Sequence, residues 1–420
     1  MKKVIVIGGG AAGMMAAITA SEYGAETTLR EKNAMLGKKI SITGKGRCNL
    51  TNQCSIPELI KNIPGNGSFL YGAFHRFSVD DTMSFFHSLG LPLKVEQGRR
   101  VFPTSDKAYD VLDVLKKRLR QLDVKLEYNA PDNQLVLQQD LQSGSSYVVG
   151  LKTEKGFLPA DAVIIATGGM SYPATGSTGD GYRIAELAGH LVVPPRPSLV
   201  PLETKEAWVE ELSGLSLRNV AVRAYVKEKV LDKGFGEMLF THFGVSGPVI
   251  LRLSHAVCNT FFEAPKAEIT IHINLKPALS KEQLQSRIQR DLDRYSRKYF
   301  ANSLDDLLPQ SLIPVIVRLS GIDPEKPANQ ITKEERNCLT ELLQDLTVHV
   351  KGTRPIDEAI VTAGGVSVRE INPKTMESKL VSGLYFAGEV MDVDGFTGGY
   401  NLQAAFSSGR VAGMAAAGKL

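Results

Sequence analysis

The sequence predicts an α/β fold whose first domain is interrupted by an insertion and completed by the C-terminus. Three observations carry that prediction. Residues 4–30 read as strand, helix and strand packed into about 30 residues, the length of a βαβ unit. The middle of the chain then changes to the period-2 alternation of antiparallel strands. After residue 355 the glycine-rich, small-residue character of the N-terminus returns.

Each element follows from local pattern. Val4–Ile7 is a continuous apolar run, as in a strand buried on both faces of a parallel sheet. Ala11–Tyr23 reads as a helix and Glu26–Arg30 as the second strand. Over Asp106–Leu122, Leu112, Leu115, Leu119 and Leu122 recur at helical spacing, with Asp106 placed to start the helix. Leu135–Leu137, then Tyr147, Val149 and Leu151, alternate as antiparallel strands, and Ala162–Ala166 is a further buried strand before a helix from Gly179 to Ala188. Residues 194–201 hold four of the 20 prolines and read as a crossover between domains. From there to about 275 the pattern is strand-like, alternating over 220–226 and 268–273, and 280–345 is charged and helical.

Composition narrows the class. A chain of 420 residues allows two to four domains, and 43% hydrophobic with 22% charged residues excludes disordered, collagenous and membrane-spanning proteins. Four cysteines are too few for a disulfide framework and point to a reducing, cytoplasmic setting. Residues 2–20 have the outline of a signal peptide, but three glycines interrupt the apolar run and favour strand, turn and helix. The net charge of +4 permits an anionic partner without demanding one. The 39 glycines exceed the usual share of about 7% and cluster, as where backbone approaches a ligand.

The first cluster is Gly8-x-Gly10-x-x-Gly13, with Glu31 following 18 residues after Gly13. Gly8 suits a tight turn, Gly10 lets backbone approach a pyrophosphate, and Gly13 lets helix pack on strand. Ala11 and Ala12 open the helix whose positive end faces that anion, and an acid at 31 accepts from ribose hydroxyls. The pattern leaves NAD and FAD open. Two later segments favour FAD. Ala166-Thr167-Gly168-Gly169 resembles the second short fingerprint of two-dinucleotide-fold flavoproteins. Residues 383–401 resemble the closing FAD motif: Gly388 and Glu389, then Asp394, Gly395, Gly398 and Gly399, and a helix opening on Asn401 and Leu402. In that motif the acid meets the ribityl or pyrophosphate region and the helix N-terminus faces the flavin, stabilising negative charge on its reduced ring.

Between them, residues 37–52 (GKKISITGKGRCNLTN) set Lys38, Lys39, Lys45 and Arg47 on a glycine-hinged segment. Such a segment binds phosphate or another anion, or is a solvated basic loop. Its place just after Glu31 and Lys32 favours the cofactor. Together with VFPTSDKA (101–108), ATGGMSYPATGSTGDGY (166–182), GEMLFTHFGVSGPVILRLS (236–254) and residues 375–410, this segment resembles the BaiN/RdsA (YhiN-like) family of flavoproteins across the whole chain.

The resemblance implies a two-dinucleotide-fold-type FAD-binding Rossmann domain, discontinuous, at 1–194 and 353–420. It implies an inserted β-barrel-like domain at 195–277 and 330–352, carrying a helical insert at 278–329. It also implies that Gly46, Arg47, Cys48 and Asn49 join the FAD contacts. The resemblance further implies reduction of a carbonyl-conjugated C=C bond, for which NAD(P)H is the expected transient reductant. Uridine in 23S ribosomal RNA is the favoured expected substrate, and a small enone metabolite is the alternative.

Such a reaction needs an acid for the α-carbon and donors for the developing enolate. The candidates are Cys48, with a pKa lowered by neighbouring cations, His242, reaching from the second domain, and Tyr400. Two other readings stay open. Cys48 and Cys54 lie where disulfide oxidoreductases carry a redox pair, though five residues rather than four separate them. The basic loop and KKRLR (116–120) also suit a non-catalytic, ribosome-associated flavoprotein. The seven histidines show no metal-ligand spacing, so no metal site is expected.

Overall fold

The apolar run at the N-terminus forms the strand β1 (Lys3–Ile7), the centre of a five-stranded parallel sheet. The computed structural model describes residues 1–131, 133–140 and 144–420. Across the sheet the order is Leu384–Phe386, Ala162–Ile165, β1, β2 (Glu26–Arg30) and Lys125–Glu127. Every pair is parallel, so both faces need cover, and the three strands Lys3–Ile7, Ala162–Ile165 and Leu384–Phe386 are accordingly apolar.

That cover is close. Helix α1 (Ala11–Glu22) is buried at every position from Ala11 to Ala20, as a helix enclosed on all sides must be. It packs on the sheet and against the C-terminal helix Tyr400–Ala416, and both contacts depend on missing side chains. A Cβ on Gly13 would stand 1.8 Å from the Gly8 carbonyl oxygen. One on Gly409 would stand 2.4 Å from that of Ala12, and one on Gly413 2.5 Å from that of Ala16.

The chain forms two compact units, residues 1–197 with 356–420, and residues 198–355. The boundary at Pro197 falls in the proline-rich stretch, whose residues 192–198 form a strand paired with Val361–Val366. The first unit also holds an antiparallel sheet built on Gln134–Gln139 and Ser146–Thr153. A small three-stranded sheet of Thr51–Asn52, Leu93–Glu96 and Arg100–Pro103 has no counterpart in the sequence reading.

In the second unit six strands close a barrel: Leu202–Thr204, Gly244–Ser246, Lys229–Thr241, Ser216–Val226, Ile269–Asn274 and Leu346–Thr353, in that order. The helices Lys281–Arg294, Ile313–Ser320 and Lys333–Gln344 share its apolar core: Leu284, Ile316 and Leu339 are buried in one cluster with Ile271 and Val348.

Two local expectations are corrected. The stretch read as strand up to 275 contains a 16-residue helix, Pro248–Glu263. Pro248 sits in its first turn, where a missing N–H costs nothing, and Val249, Ile250, Leu253 and Val257 recur at helical spacing into the core. The helix expected from Asp106 begins at Ala108. Asp106 is left-handed (φ 58°) and gives its carboxylate to Arg47 and Lys94 instead of to a helix end. Among the described residues no helix is long and apolar enough to cross a membrane.

Substituting Gly13→Ala forces α1 away from β1 and should cost about 2–3 kcal/mol, the scale of an overpacked core. Gly352→Ala, with no atom within 4 Å of the new Cβ, should leave stability unchanged. Denaturant unfolding of both variants checks this; equal midpoints would refute it.

Candidate cofactor and active site

At the C-terminal ends of the parallel strands, where ligands of doubly wound sheets bind, the first unit encloses a cavity of about 960 Å³. That lies at the upper end of small-molecule and cofactor sites. The fingerprint glycines act as their spacing predicts. Gly8 turns the chain at φ 103°, where a Cβ would lie 2.5 Å from the Ala166 carbonyl oxygen. Nothing lies within 4 Å of a Cβ on Gly10, which lines the cavity at the head of α1.

At one end of the cavity, Glu31 is 8% exposed. Its carboxylate accepts from the Gly9 N–H at 2.8 Å and from the Asn33 N–H and side-chain amide at 2.8 and 2.7 Å. Beside it, Arg30 donates to Asn133 at 2.6 Å and pairs with Glu127. Lys32 reaches Asp180 at 2.7 Å.

In the cavity wall Glu389 is a hub. It accepts from Lys39 at 2.7 Å, from the Thr362 N–H at 2.9 Å and from the Ser171 hydroxyl at 3.2 Å, while Lys39 also donates to Ser171 at 2.7 Å. Near the C-terminal helix, the Asn401 amide oxygen accepts from the Gly395 N–H at 2.8 Å, and its NH₂ donates to the Gly395 and Phe396 carbonyls. This clamp holds the glycine loop that leads into the helix. One turn in, buried Gln403 accepts from Thr51 at 2.6 Å and donates to Thr82 at 2.8 Å, tying the helix to the small sheet.

A third group lies around the segment 43–49. Gly44, Lys45, Gly46 and Cys48 all have positive φ. Arg47 lies over the Phe102 ring at 4.2 Å and bonds Asp106 and Glu96. Asp106 is held below the usual carboxylate range chiefly by Lys94 and then by Arg47, and Glu96 chiefly by Arg47. Lys38, Lys45 and Arg100 also line the cavity, are exposed, and have no carboxylate partner among the described residues.

Most sequence-predicted residues meet here. Gly8, Gly10, Ala11, Ala12, Glu31, Lys32, Lys38, Arg47, Asn49, Ala166, Thr167, Gly168, Gly388, Glu389, Gly398, Gly399, Asn401 and Leu402 all line the cavity. Gly13, Gly46, Asp394, Gly395 and Tyr400 are not among its lining residues. The Tyr400 ring packs against Gly398, where a Cβ would be 2.8 Å away.

Cys48 is a correction. It is fully buried in the core, and burial pushes its thiol up to about 12, opposite to the lowering expected from neighbouring cations. Cys54 is half-buried and pushed up to about 11, chiefly by the same cause. His242 belongs to the second unit, exposed at the end of a barrel strand with its ring 5.0 Å from that of Phe243.

The sequence reading missed the role of Lys39 as partner of Glu389, and the cavity-lining Asn33, Arg100 and Phe102. The run Lys38-Lys39 was the available signal for the first, but the helix Lys38–Ile42 decides which lysine faces Glu389.

The lining fits a dinucleotide. The Thr167 hydroxyl and the Asn49 amide oxygen are buried in it without a partner among the described residues, and buried polar groups in folded proteins are rarely left so. Parallel sheet, glycine turn, acid after the second strand and a glycine loop at the C-terminal helix define a flavin-dependent oxidoreductase with a Rossmann-type FAD-binding domain. The chain matches the HI0933-like protein Rossmann domain family over residues 2–415 and belongs to it, as its motifs imply.

It is 33% identical over 427 residues to the 3-dehydro-bile acid delta(4,6)-reductase of Clostridium scindens, covering 99% of each chain. It is 31% identical over 406 residues to the ribosomal RNA dihydrouridine synthase of Haemophilus influenzae, covering 96% of each. Among solved structures, the 3-ketosteroid delta1-dehydrogenase of Sterolibacterium denitrificans shares the fold at TM-score 0.52 and 14% identity, with all of both chains covered.

Two outcomes follow from this geometry. The Cys48 thiol is buried and held in its neutral form. Iodoacetamide should therefore label exposed Cys338 and leave Cys48 intact in the native protein, and mass spectrometry showing equal labelling would contradict the buried placement. Glu389→Ala strands the Lys39 ammonium, about a quarter exposed, and the Thr362 N–H. The purified variant should carry several-fold less FAD, read from its visible absorbance, with Glu389→Gln intermediate.

Proposed function

We propose that the chain is an NAD(P)H-dependent, FAD-containing reductase of a C=C bond conjugated to a carbonyl, with uridine in 23S ribosomal RNA as the favoured substrate. The observation that carries the substrate reading is the cation set of the cavity. Inner cations are neutralised in pairs, whereas Lys38, Lys45 and Arg100 are exposed and have no carboxylate partner among the described residues. Unpaired cations on the cavity wall suit a phosphate-bearing substrate better than a neutral lipid.

Bound FAD, once reduced, supplies the hydride that a polarised double bond accepts. The chain's own residues do the rest. The N-terminus of α1, Gly10 and Glu31 hold the nucleotide, and Asn401 orients the glycine loop at the C-terminal helix. Arg100 offers donors to the oxygen on which enolate charge develops. Of the three candidate acids, Cys48 is sealed from solvent, whereas Tyr400, packed on the lining residue Gly398, and His242 both stay as candidates. The weakly acidic thiols of buried Cys48 and half-buried Cys54 give the disulfide-reductase alternative no activated nucleophile.

A small enone is the second reading, favoured by the 33% identity to a bile-acid reductase over 99% of both chains. Mass spectrometry of 23S ribosomal RNA from cells lacking the gene separates the two: dihydrouridine should disappear, and unchanged dihydrouridine would sink the RNA reading. In either case NAD(P)H should bleach the flavin anaerobically, and Arg100→Gln should lower kcat/KM about 10²-fold with FAD content retained.

A further inference from the structure

The barrel carries a feature that the cavity does not use. In its longest hairpin, Ser216–Val226 with Lys229–Thr241, the pleat sends Val220, Val222 and Ala224 into the core and Ala221, Arg223 and Tyr225 outward. The register sets Lys233 directly opposite Arg223, and Arg223 directly opposite His272 on the next strand. Like charges facing each other across a strand pair destabilise the sheet. Both histidines of this face have acids: His272 bonds Asp345 at 2.8 Å and His349 bonds Glu206 at 2.7 Å. Glu237 lies 3.8 Å from Arg218. Arg223 and Lys233 are exposed and have no carboxylate partner among the described residues.

Aromatic rings flank this row. Phe235, two residues from Lys233 on the same face and opposite Ala221, is 66% exposed. Tyr225, two residues from Arg223, lies with its ring 4.7 Å from that of His272. Folding alone rewards neither two facing cations nor a phenylalanine in water. A ligand bearing regular negative charge and flat rings compensates both.

We propose that this outer face of the barrel binds a single-stranded RNA segment, with Arg223 and Lys233 on phosphates and Phe235 beneath a base. The proposal rests on the RNA reading of the cavity and adds a binding surface in the second unit. Charge complementarity selects RNA over an apolar protein partner, because fixed cations stand at the centre of the patch.

The test uses the full-length holoprotein and a labelled in vitro transcript of a 23S ribosomal RNA segment, titrated at several salt concentrations. Arg223→Ala with Lys233→Ala should reduce the slope of log affinity against log salt by about 1.4, at about 0.7 per phosphate of a single strand. Phe235→Ala should weaken binding about tenfold and Phe235→Tyr should restore it. FAD content and NAD(P)H bleaching should not change, since the positions are exposed and outside the cavity. Variants that bind with wild-type affinity and salt slope, while wild type modifies the RNA, would overturn this surface and leave the RNA reading standing. Loss of binding to assembled ribosomal subunits with naked-RNA binding intact would assign the face to a protein and overturn it too. A wild-type protein that neither binds nor modifies the transcript would end the RNA reading and this surface with it.

Discussion

The backbone of α1 lies closer to its neighbours than any side chain allows, and the site depends on that closeness. Gly13 brings the helix onto the turn after β1, and Gly409 and Gly413, one helical turn apart, bring the C-terminal helix onto its other side. Residues distant in sequence thus meet in one layer: the head of α1 at Gly10 and the loop before Tyr400 both open on the same cavity. A helix end offers positive potential only within its first turn. A displacement of even an ångström or two would separate that potential from its anion, so packing and binding are here one constraint.

Charge is arranged with the same economy. Glu389 neutralises Lys39, Asp180 neutralises Lys32, and Glu127 neutralises Arg30. Cations that are part-buried need such partners, because an uncompensated charge in a poorly solvated wall is costly. Lys38, Lys45 and Arg100 are solvated and bear no such cost, so they stay free to meet a ligand. The cavity therefore changes character from a neutralised interior to a cationic edge, without any long-range field from a net charge of only +4.

What was legible in the sequence was whatever depends on spacing along the chain. The turn at Gly8, the packing at Gly13 and Glu31 at the end of β2 follow from fixed offsets within one βαβ unit, and the closing glycine loop from its own short spacing before the last helix. What was not legible depends on phase or on distant partners. Lys38 and Lys39 are adjacent, and only the orientation of a five-residue helix sends the second to Glu389. Arg100 and Phe102 reach the cavity through a three-stranded sheet whose strands are two to four residues long, too short for alternation to show. The helix Pro248–Glu263 was hidden by β-branched and aromatic residues that suit a strand equally well; its period of 3.6 and its N-terminal proline were the better guide.

Cys48 shows why chemistry read from neighbours in sequence can invert in space. The loop around it holds Lys45 and Cys48 in left-handed conformations, each costing on the order of 1 kcal/mol or more. A loop so bent persists only if something over-determines it. Cys48 supplies part of that: its side chain is sealed in the core and its N–H donates to the Thr43 carbonyl at 3.0 Å. Arg47, held by Asp106 and stacked on Phe102, secures the other side. With both neighbours pinned, Lys45 is turned out to solvent and Asn49 lines the cavity. The thiol is thus the anchor of the basic loop and not its reactive group, and the same burial that makes it a good anchor raises its pKa beyond use at neutral pH.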